Sequence, residues 1–589
     1  MHSYAHLHSV LNNTLASSAN TSPIWGLDGL YTVAPATAPA LPDPALRTPL
    51  LLLAGILLVL LTRYLTRPDP LGAIPGPWLA RHTALLLAYH TRRGKRYLYV
   101  DKLHKQYGPH VRLTPTQISC AAPSAPSTIY AQGALSLPKA PFYRAFYVDG
   151  TPSLFSTQDR AGHAAKRRVL AHPFSAGSVR GFEGWIRGSV GRMVGGLDGV
   201  WWAGERDGSA NGGDGGEGRI DILMWLNYLA FDVISDLAFG APLGMLARQS
   251  DVLPTDDEED EEEADEEEED DTAMIDYRGR TAAYLGLLPS LLPFGRWIPD
   301  GFVRRGLRGT ESLSKIARRC VRTRLASPTQ ERRGDLLDRL VEGMGRGGGD
   351  GEGGDGEVRE EDVVTEAMLL LTAGSDTTAN STAAVLFHVL RSPRVLGKLR
   401  AELDAVVGGV GVGADEAVGD GDADADGRVI PWHDQIKSLK YLQATIDEGL
   451  RLFATNAFGL PRVVPEGGRV VVGGRAFGEG TELSAPAWTI QHDPAIWGDP
   501  EVFRPERWLE SGASELKRHL LTFGMGPRAC IGKNLAYMQM QLLIATLVRR
   551  YDMDLCEDEL RSVEGFMHKP VEVWVRIRRR NGAGLGASI

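Results

Sequence analysis

The chain has 589 residues, 43% hydrophobic and 23% charged, a globular composition with enough length for a large core. Its net charge of −10 has a local origin: 256–271 is acidic at every position but Ala264, and elsewhere basic residues slightly outnumber acidic ones. No basic stripe interleaved with aromatics marks a nucleic-acid footprint, and the four cysteines (Cys120, Cys320, Cys530, Cys556) form no CxxC pair, which excludes a zinc ribbon or a dense disulfide framework.

The first predicted element is an apolar run, "LLLLAGILLVLL", at 50–61. Alone it fits a membrane span, a signal core or a buried helix. Its flanks extend it to 48–65 with Arg63 as the only charge, and no small-residue cleavage site follows. Arg47 precedes it, whereas Arg63, Arg67, Arg81, Arg92, Arg93, Lys95 and Arg96 follow, so the positive-inside rule places the long C-terminal part in the cytosol. The expectation is a leader at 1–47 facing the lumen, an anchor at 48–65 and a proline-rich hinge at 66–77. One catalytic domain follows at 78–580, with a tail at 581–589. Asn12 and Asn20 stand in glycosylation sequons within the leader.

Four Gly- and Asp-rich stretches, at 204–218, 251–271, 343–357 and 408–427, cannot bury enough apolar surface to offset chain entropy and read as surface insertions. Between them the periodicity predicts helices over 221–239, 361–391, 441–453 and 531–551. "RVVVGGRAFGEG" at 469–480 predicts a hairpin turning at Gly473-Gly474. The expectation is a mainly α fold with a small β region.

Three segments carry chemistry. In "LLLTAGSDTTANS" (369–381), Leu370, Ala373, Gly374, Thr377 and Ser381 share one helix face, small where a core helix would be bulky. Asp376 beside Thr377 suits proton relay, although Ser and Thr side chains also bond back to the helix and bend it. In "DEGLRL" (447–452), Glu448 and Arg451 are spaced to pair, and Arg507 in "FRPERW" (503–508) offers a second cation. In "FGMGPRACIGKNLA" (523–536), Cys530 precedes a helix whose N-terminus favours a thiolate, and Gly526, Pro527 and Gly532 shape a tight loop. Such a thiolate is a nucleophile or a metal ligand, and thiolate ligation of haem iron is one possibility.

Together these segments resemble the cytochrome P-450 superfamily of haem-thiolate monooxygenases. Phe523, Gly526, Arg528, Cys530 and Gly532 match its F-x-x-G-x-R-x-C-x-G loop. Ala373, Gly374, Asp376, Thr377 and Thr378 match A-G-x-D-T-T, Glu448 and Arg451 match E-x-x-R, and Pro505, Glu506 and Arg507 match P-E-R. The similarity spans about 70–580. It implies a haem b with Cys530 as axial thiolate, and proton delivery by Asp376 and Thr377 during dioxygen activation. It further implies a structural network of Glu448, Arg451 and Arg507, and propionate binding by Arg528, with His163, Arg167 and Arg462 as further candidates. His163 stands where the family commonly has Trp. "FDVISDLAFGAPLGML" (231–246), "STQDRAGHAAKRRVLAHPFS" (156–175) and "AGSDTTANS" also look like fungal benzoate 4-monooxygenases and related secondary-metabolite enzymes, from which the long leader and the insertions depart.

The implied function is a single-pass enzyme of the endoplasmic reticulum membrane that inserts one atom of O2 into a lipophilic small molecule. No G-x-G-x-x-G opens a strand–helix unit, so electrons are expected from NADPH through a separate reductase, with cytochrome b5 as a possible second donor and no nucleic acid as partner. The docking face is expected near Cys530, around Arg528, Lys533 and Lys517 or Arg518. A fungal tailoring step is the leading expectation for the substrate, para-hydroxylation of benzoate the alternative, and a non-oxygenating isomerase or dehydratase a second alternative. Expected pocket walls are 138–150, Leu370, Ala373 and 454–460, with Arg144 or Asn456 as a donor to a carboxylate.

Overall fold

The computed structural model describes 68–131, 136–206, 219–250, 271–326, 335–346, 359–407 and 430–580, with Gly55, Leu58, Val59 and Thr62 before them. The leader with Asn12 and Asn20, the rest of the 48–65 anchor, and almost all of the four insertions lie outside the described residues. The chain divides into two units, Met1–Pro68 and Asp69–Ile589. In the second, the proline-rich segment packs on the domain rather than standing off it: Asp69 pairs with Arg112, and the Pro75 carbonyl accepts from the Arg112 amide.

The longer elements in chain order are α1 (Leu85–Arg92), α2 (Arg96–Tyr107), β1 (His110–Arg112), β2 (Gln117–Cys120), α3 (Arg160–Ala171), α4 (Glu183–Arg206) and β3 (Arg219–Asp221). Then come α5 (Ile222–Phe239), α6 (Asp271–Gly286), α7 (Gly301–Ala326), α8 (Leu336–Arg346), α9 (Glu360–Leu390), α10 (Pro393–Val407) and α11 (Lys440–Leu452). The remainder are β4 (Arg462–Val463), β5 (Arg469–Val472), β6 (Arg475–Gly478), β7 (Glu482–Ser484), α12 (Lys533–Arg550), β8 (Tyr551–Leu555), β9 (Ser562–Glu564), β10 (His568–Pro570) and β11 (Trp574–Arg579).

The fold is mainly α, and the predicted helices sit within two residues of their expected ends. Capping sets those ends. Asp221 accepts from the Leu223 amide to start α5, and left-handed Gly240 stops it. Glu360, Glu361 and Asp362 place negative charge in the first turn of α9. The β content is more dispersed than the expected single region. The described strands form four sheets, one mixed in the order β1-β2-β7-β4, one of β3-β11-β8, and the hairpins β5-β6 and β9-β10. The β5-β6 hairpin turns where predicted, with Gly473 and Gly474 both at positive φ (53° and 80°), the backbone such two-residue turns require.

α5 is apolar on all sides, and it alone among the described helices is long and apolar enough to cross a membrane. It is 89% buried, so here that composition makes a core helix. It packs along α9, the longest helix, against a core completed by α11 and α12. Close approach of α5 and α9 depends on Gly374: an added Cβ would stand 2.7 Å from Ile234 Cδ1. This crossing brings the middle of α9 over the Cys530 loop.

Candidate active site

Two of the segments that the sequence singled out, 369–381 and 523–536, meet at one cavity of about 250 Å³. The expected face of α9 (Leu370, Ala373, Gly374, Thr377 and Ser381) forms one part of its lining, and Phe523, Arg528, Cys530 and Gly532 form another. Cys530 is exposed, and the surface it exposes is cavity surface. Burial raises its thiol pKa, opposed by the Gly532 amide and by the charges of Arg167 and Lys533.

The loop geometry differs from the expected one. α12 starts at Lys533 with Gly532 as its cap, three residues beyond the cysteine. The Cys530 amide donates to the Phe523 carbonyl (2.8 Å), and the Gly532 amide lies close enough to the sulfur to favour its thiolate. Gly526 is needed for a different contact. Its φ is +73°, and an added Cβ would overlap the Tyr130 carbonyl.

Behind the loop lies the Glu448 network, buried throughout. Glu448 Oε1 accepts from Arg451 Nη2 (2.9 Å), Arg507 Nε (2.9 Å) and the Arg504 amide (3.0 Å). Its Oε2 accepts from Arg451 Nε (3.0 Å) and Trp508 Nε1 (2.9 Å). Of the remaining guanidinium donors, those of Arg451 reach the carbonyls of Gln491 and Pro500, and those of Arg507 reach the Trp497 carbonyl and the Asp499 carboxylate (3.1 Å). Gln491, which the sequence reading missed, ties this network to the loop: it donates to the Leu450 and Arg451 carbonyls and accepts from the Leu521 amide (2.7 Å).

Four basic side chains line the cavity (Lys139, His163, Arg167 and Arg528), and a fifth, Arg462, lines a small neighbouring pocket that Arg528 shares. Arg528 donates to the carbonyls of Thr157 (2.5 Å), Gln158 (3.1 Å) and Asp159 (3.1 Å), so it lines the cavity instead of the expected docking surface. Arg167 donates to the Ala529 carbonyl (2.8 Å). Buried Arg462 leaves Nη1 without a partner. Lys139, within the expected wall 138–150, pairs across a β-bridge with Arg462, and its ammonium is held by the Phe155 carbonyl between the Tyr143 and Phe155 rings. Burial, then Arg462 and Arg528, holds the Lys139 pKa well below the usual range. His163 is pushed to about 3 by burial and then by the four surrounding cations. Such a concentration of buried positive charge is stable only opposite an anion. Glu366, in the middle of an apolar stretch of α9, secures the scaffold. Its buried carboxylate accepts from the Leu154 amide (2.9 Å) and Lys166 (2.9 Å), fixing the segment whose carbonyls hold Arg528.

Asp376 does not face the Cys530 cavity. It lies one residue off the lining face and opens into a side chamber of about 110 Å³, with Thr377 and Ala373 bordering both spaces. Burial raises the Asp376 pKa, countered by Lys569, which itself pairs with Asp276 at 3.2 Å. Thr377 Oγ1 donates to the Ala373 carbonyl (2.8 Å), which leaves its lone pairs free to accept. Arg144 is exposed and bonded to Gln158 (3.2 Å), so it is no pocket donor, whereas Asn456 lines the cavity. On the outer face Lys533 is exposed and Arg518 pairs with Glu515 (3.1 Å).

The cytochrome P450 family model matches residues 75–574. The chain is a cytochrome P450. It is 36% identical over 534 residues to benzoate 4-monooxygenase of Aspergillus niger, covering 90% of this chain and 96% of that protein. It is 30% identical over 500 residues to the cytochrome P450 monooxygenase gsfF of Penicillium aethiopicum (83% and 89% covered) and 29% over 492 residues to pisatin demethylase of Fusarium vanettenii (82% and 84%). The family implies a haem-thiolate centre in this P450, and the site fits that group. An accessible cysteine faces an apolar cavity, and the guanidiniums of Arg167, Arg462 and Arg528, none with a carboxylate partner among the described residues, are charges that two propionates would neutralise.

Proposed function

We propose that this P450 is a membrane-anchored monooxygenase of the endoplasmic reticulum that oxidises a lipophilic aromatic molecule, with electrons from NADPH delivered by a separate reductase. The observation that carries the reading is the placement of Cys530 and Thr377 in the lining of one largely apolar cavity. Cys530 would hold the haem iron, and Arg528, Arg167, Arg462 and His163, together with Lys139, would hold the propionates. Once bound, the haem supplies an electron-rich thiolate-ligated iron that activates dioxygen. The protein's part is positional. Asp376 takes up protons in the side chamber and passes them across Thr377, whose hydroxyl orients the donor in the main cavity. Leu370, Phe155 and Phe566 exclude water from the rest of that space. The Asp376–Thr377 pair weighs against a non-oxygenating isomerase.

Two substrate readings stand. A tailoring step on a larger fungal metabolite follows from relatives such as gsfF. Hydroxylation of benzoate or a similar aromatic acid is favoured by the greater identity to benzoate 4-monooxygenase. Reconstitution with reductase and NADPH, followed by product analysis, separates them. A para-hydroxylated acid supports the second reading, and turnover restricted to larger neutral aromatics supports the first.

A further inference from the structure

Arg278 lies on α6, outside every motif considered above. It lines the side chamber together with Phe146, Phe566 and Met567, and Ala373 and Thr377 border both that chamber and the Cys530 cavity. Among the described residues it has no hydrogen-bond or ion-pair partner. Burial alone pushes its pKa down to about 10. Most comparable arginines of this domain are answered, Arg451 and Arg507 by Glu448, Arg280 by Asp276 and Arg528 by three carbonyls, while Arg462, whose Nη1 lacks a partner, belongs to the basic cluster beside Cys530. Asp376 and Asp276 both line the same chamber, and Lys569 answers both carboxylates.

A guanidinium set deep in an aromatic-lined chamber without a counter-ion is costly to desolvate, and an entering carboxylate would repay that cost with a bidentate pair. We propose that Arg278 anchors a carboxylate on the substrate, which is therefore an aromatic acid oxidised at the end remote from its acid group. The acid sits in the side chamber, and the ring passes between Phe566 and the Ala373–Thr377 edge of α9 into the cavity that Cys530 faces. Lys139, Arg167, Arg462 and Arg528 are committed to the propionates and leave this role to Arg278. The proposal rests on the monooxygenase reading of the cavity and adds the substrate class.

The test is a spin-state titration of the haem-loaded full chain with benzoate, anisate and cinnamate and with their methyl esters, read from the Soret band. In the wild type at least one acid is expected to bind ~10-fold or more tightly than its ester. In Arg278→Gln the acid should weaken ~10-fold or more while the ester is unchanged, and Arg278→Lys should restore part of the difference. The reduced carbon-monoxide spectrum of each protein reports the haem-thiolate centre independently. If that band is intact and wild type binds acids no better than esters, or binds none of the acids, the anchor is overturned while the monooxygenase reading stands. Equal weakening of acid and ester in Arg278→Gln also overturns it, since that pattern marks a change of pocket shape.

Discussion

Glu448→Gln tests the network behind the cysteine loop. The substitution keeps the shape and removes the charge that answers two buried guanidiniums. Placed in its better orientation, the amide nitrogen faces the two donors now on Oε2, Arg451 Nε and Trp508 Nε1, and both bonds are lost. Each hydrogen bond to a charged group contributes about 1.5–3 kcal/mol. Removing one partner of a buried ion pair costs about 3–5 kcal/mol in total. That is a large share of the roughly 5–15 kcal/mol by which a native protein is stable. Because Gln491 links the network to Leu521, the loss should reach the haem site as well. Denaturant titration of the haem-loaded protein, followed at the Soret band and by far-ultraviolet circular dichroism, checks both effects. A loss below about 1 kcal/mol with full haem retention would refute the assignment of Glu448 as the organiser of the loop.

Further outcomes follow from the same geometry. Thr377→Ala and Asp376→Asn should each lower product formation by about 10²-fold or more without changing the reduced carbon-monoxide band, since they remove proton delivery and leave the thiolate. An equal fall in haem content would contradict that. Gly526→Ala must displace the Tyr130 carbonyl and strain a positive φ, so the expressed chain should bind haem in reduced yield, measured as haem per polypeptide. Burial raises the Glu482 pKa from 4.5 to about 7. Between those values the native state binds more protons than the unfolded state, so this group lowers stability as pH rises through the window, by at most about 3 kcal/mol. Glu482→Gln should therefore be close to neutral at low pH and more stable than wild type above pH 7, in denaturant titrations across the range; the opposite sign would rule out a buried carboxylate there.

Much of this was legible because the informative signals are local. Small and hydroxylic residues at helical spacing marked the lining face of α9 at Leu370, Ala373, Gly374, Thr377 and Ser381, and all five line the cavity. The Gly473-Gly474 pair located a hairpin because both positions need positive φ. What escaped depends on contacts distant in sequence. β2 pairs in parallel with β7, and strands of two to six residues carry too short a period to register. Asp376 was read together with Thr377, yet neighbouring residues on a helix diverge by about 100°, enough to turn it into the side chamber. Lys139 lay inside the expected wall 138–150 without being singled out, and Arg278 carried no signal at all. A lone cation in a segment of mixed composition becomes conspicuous only when the fold buries it beside an apolar space.

The account stands on Cys530 as the thiolate that holds the haem. Its most direct measurement is the reduced carbon-monoxide difference spectrum of the full-length chain beside that of Cys530→Ala. The red-shifted Soret band of a thiolate-ligated haem is expected in the wild type and absent from the variant. Persistence of that band in Cys530→Ala, or its absence from a wild-type protein that carries haem, would contradict the central claim.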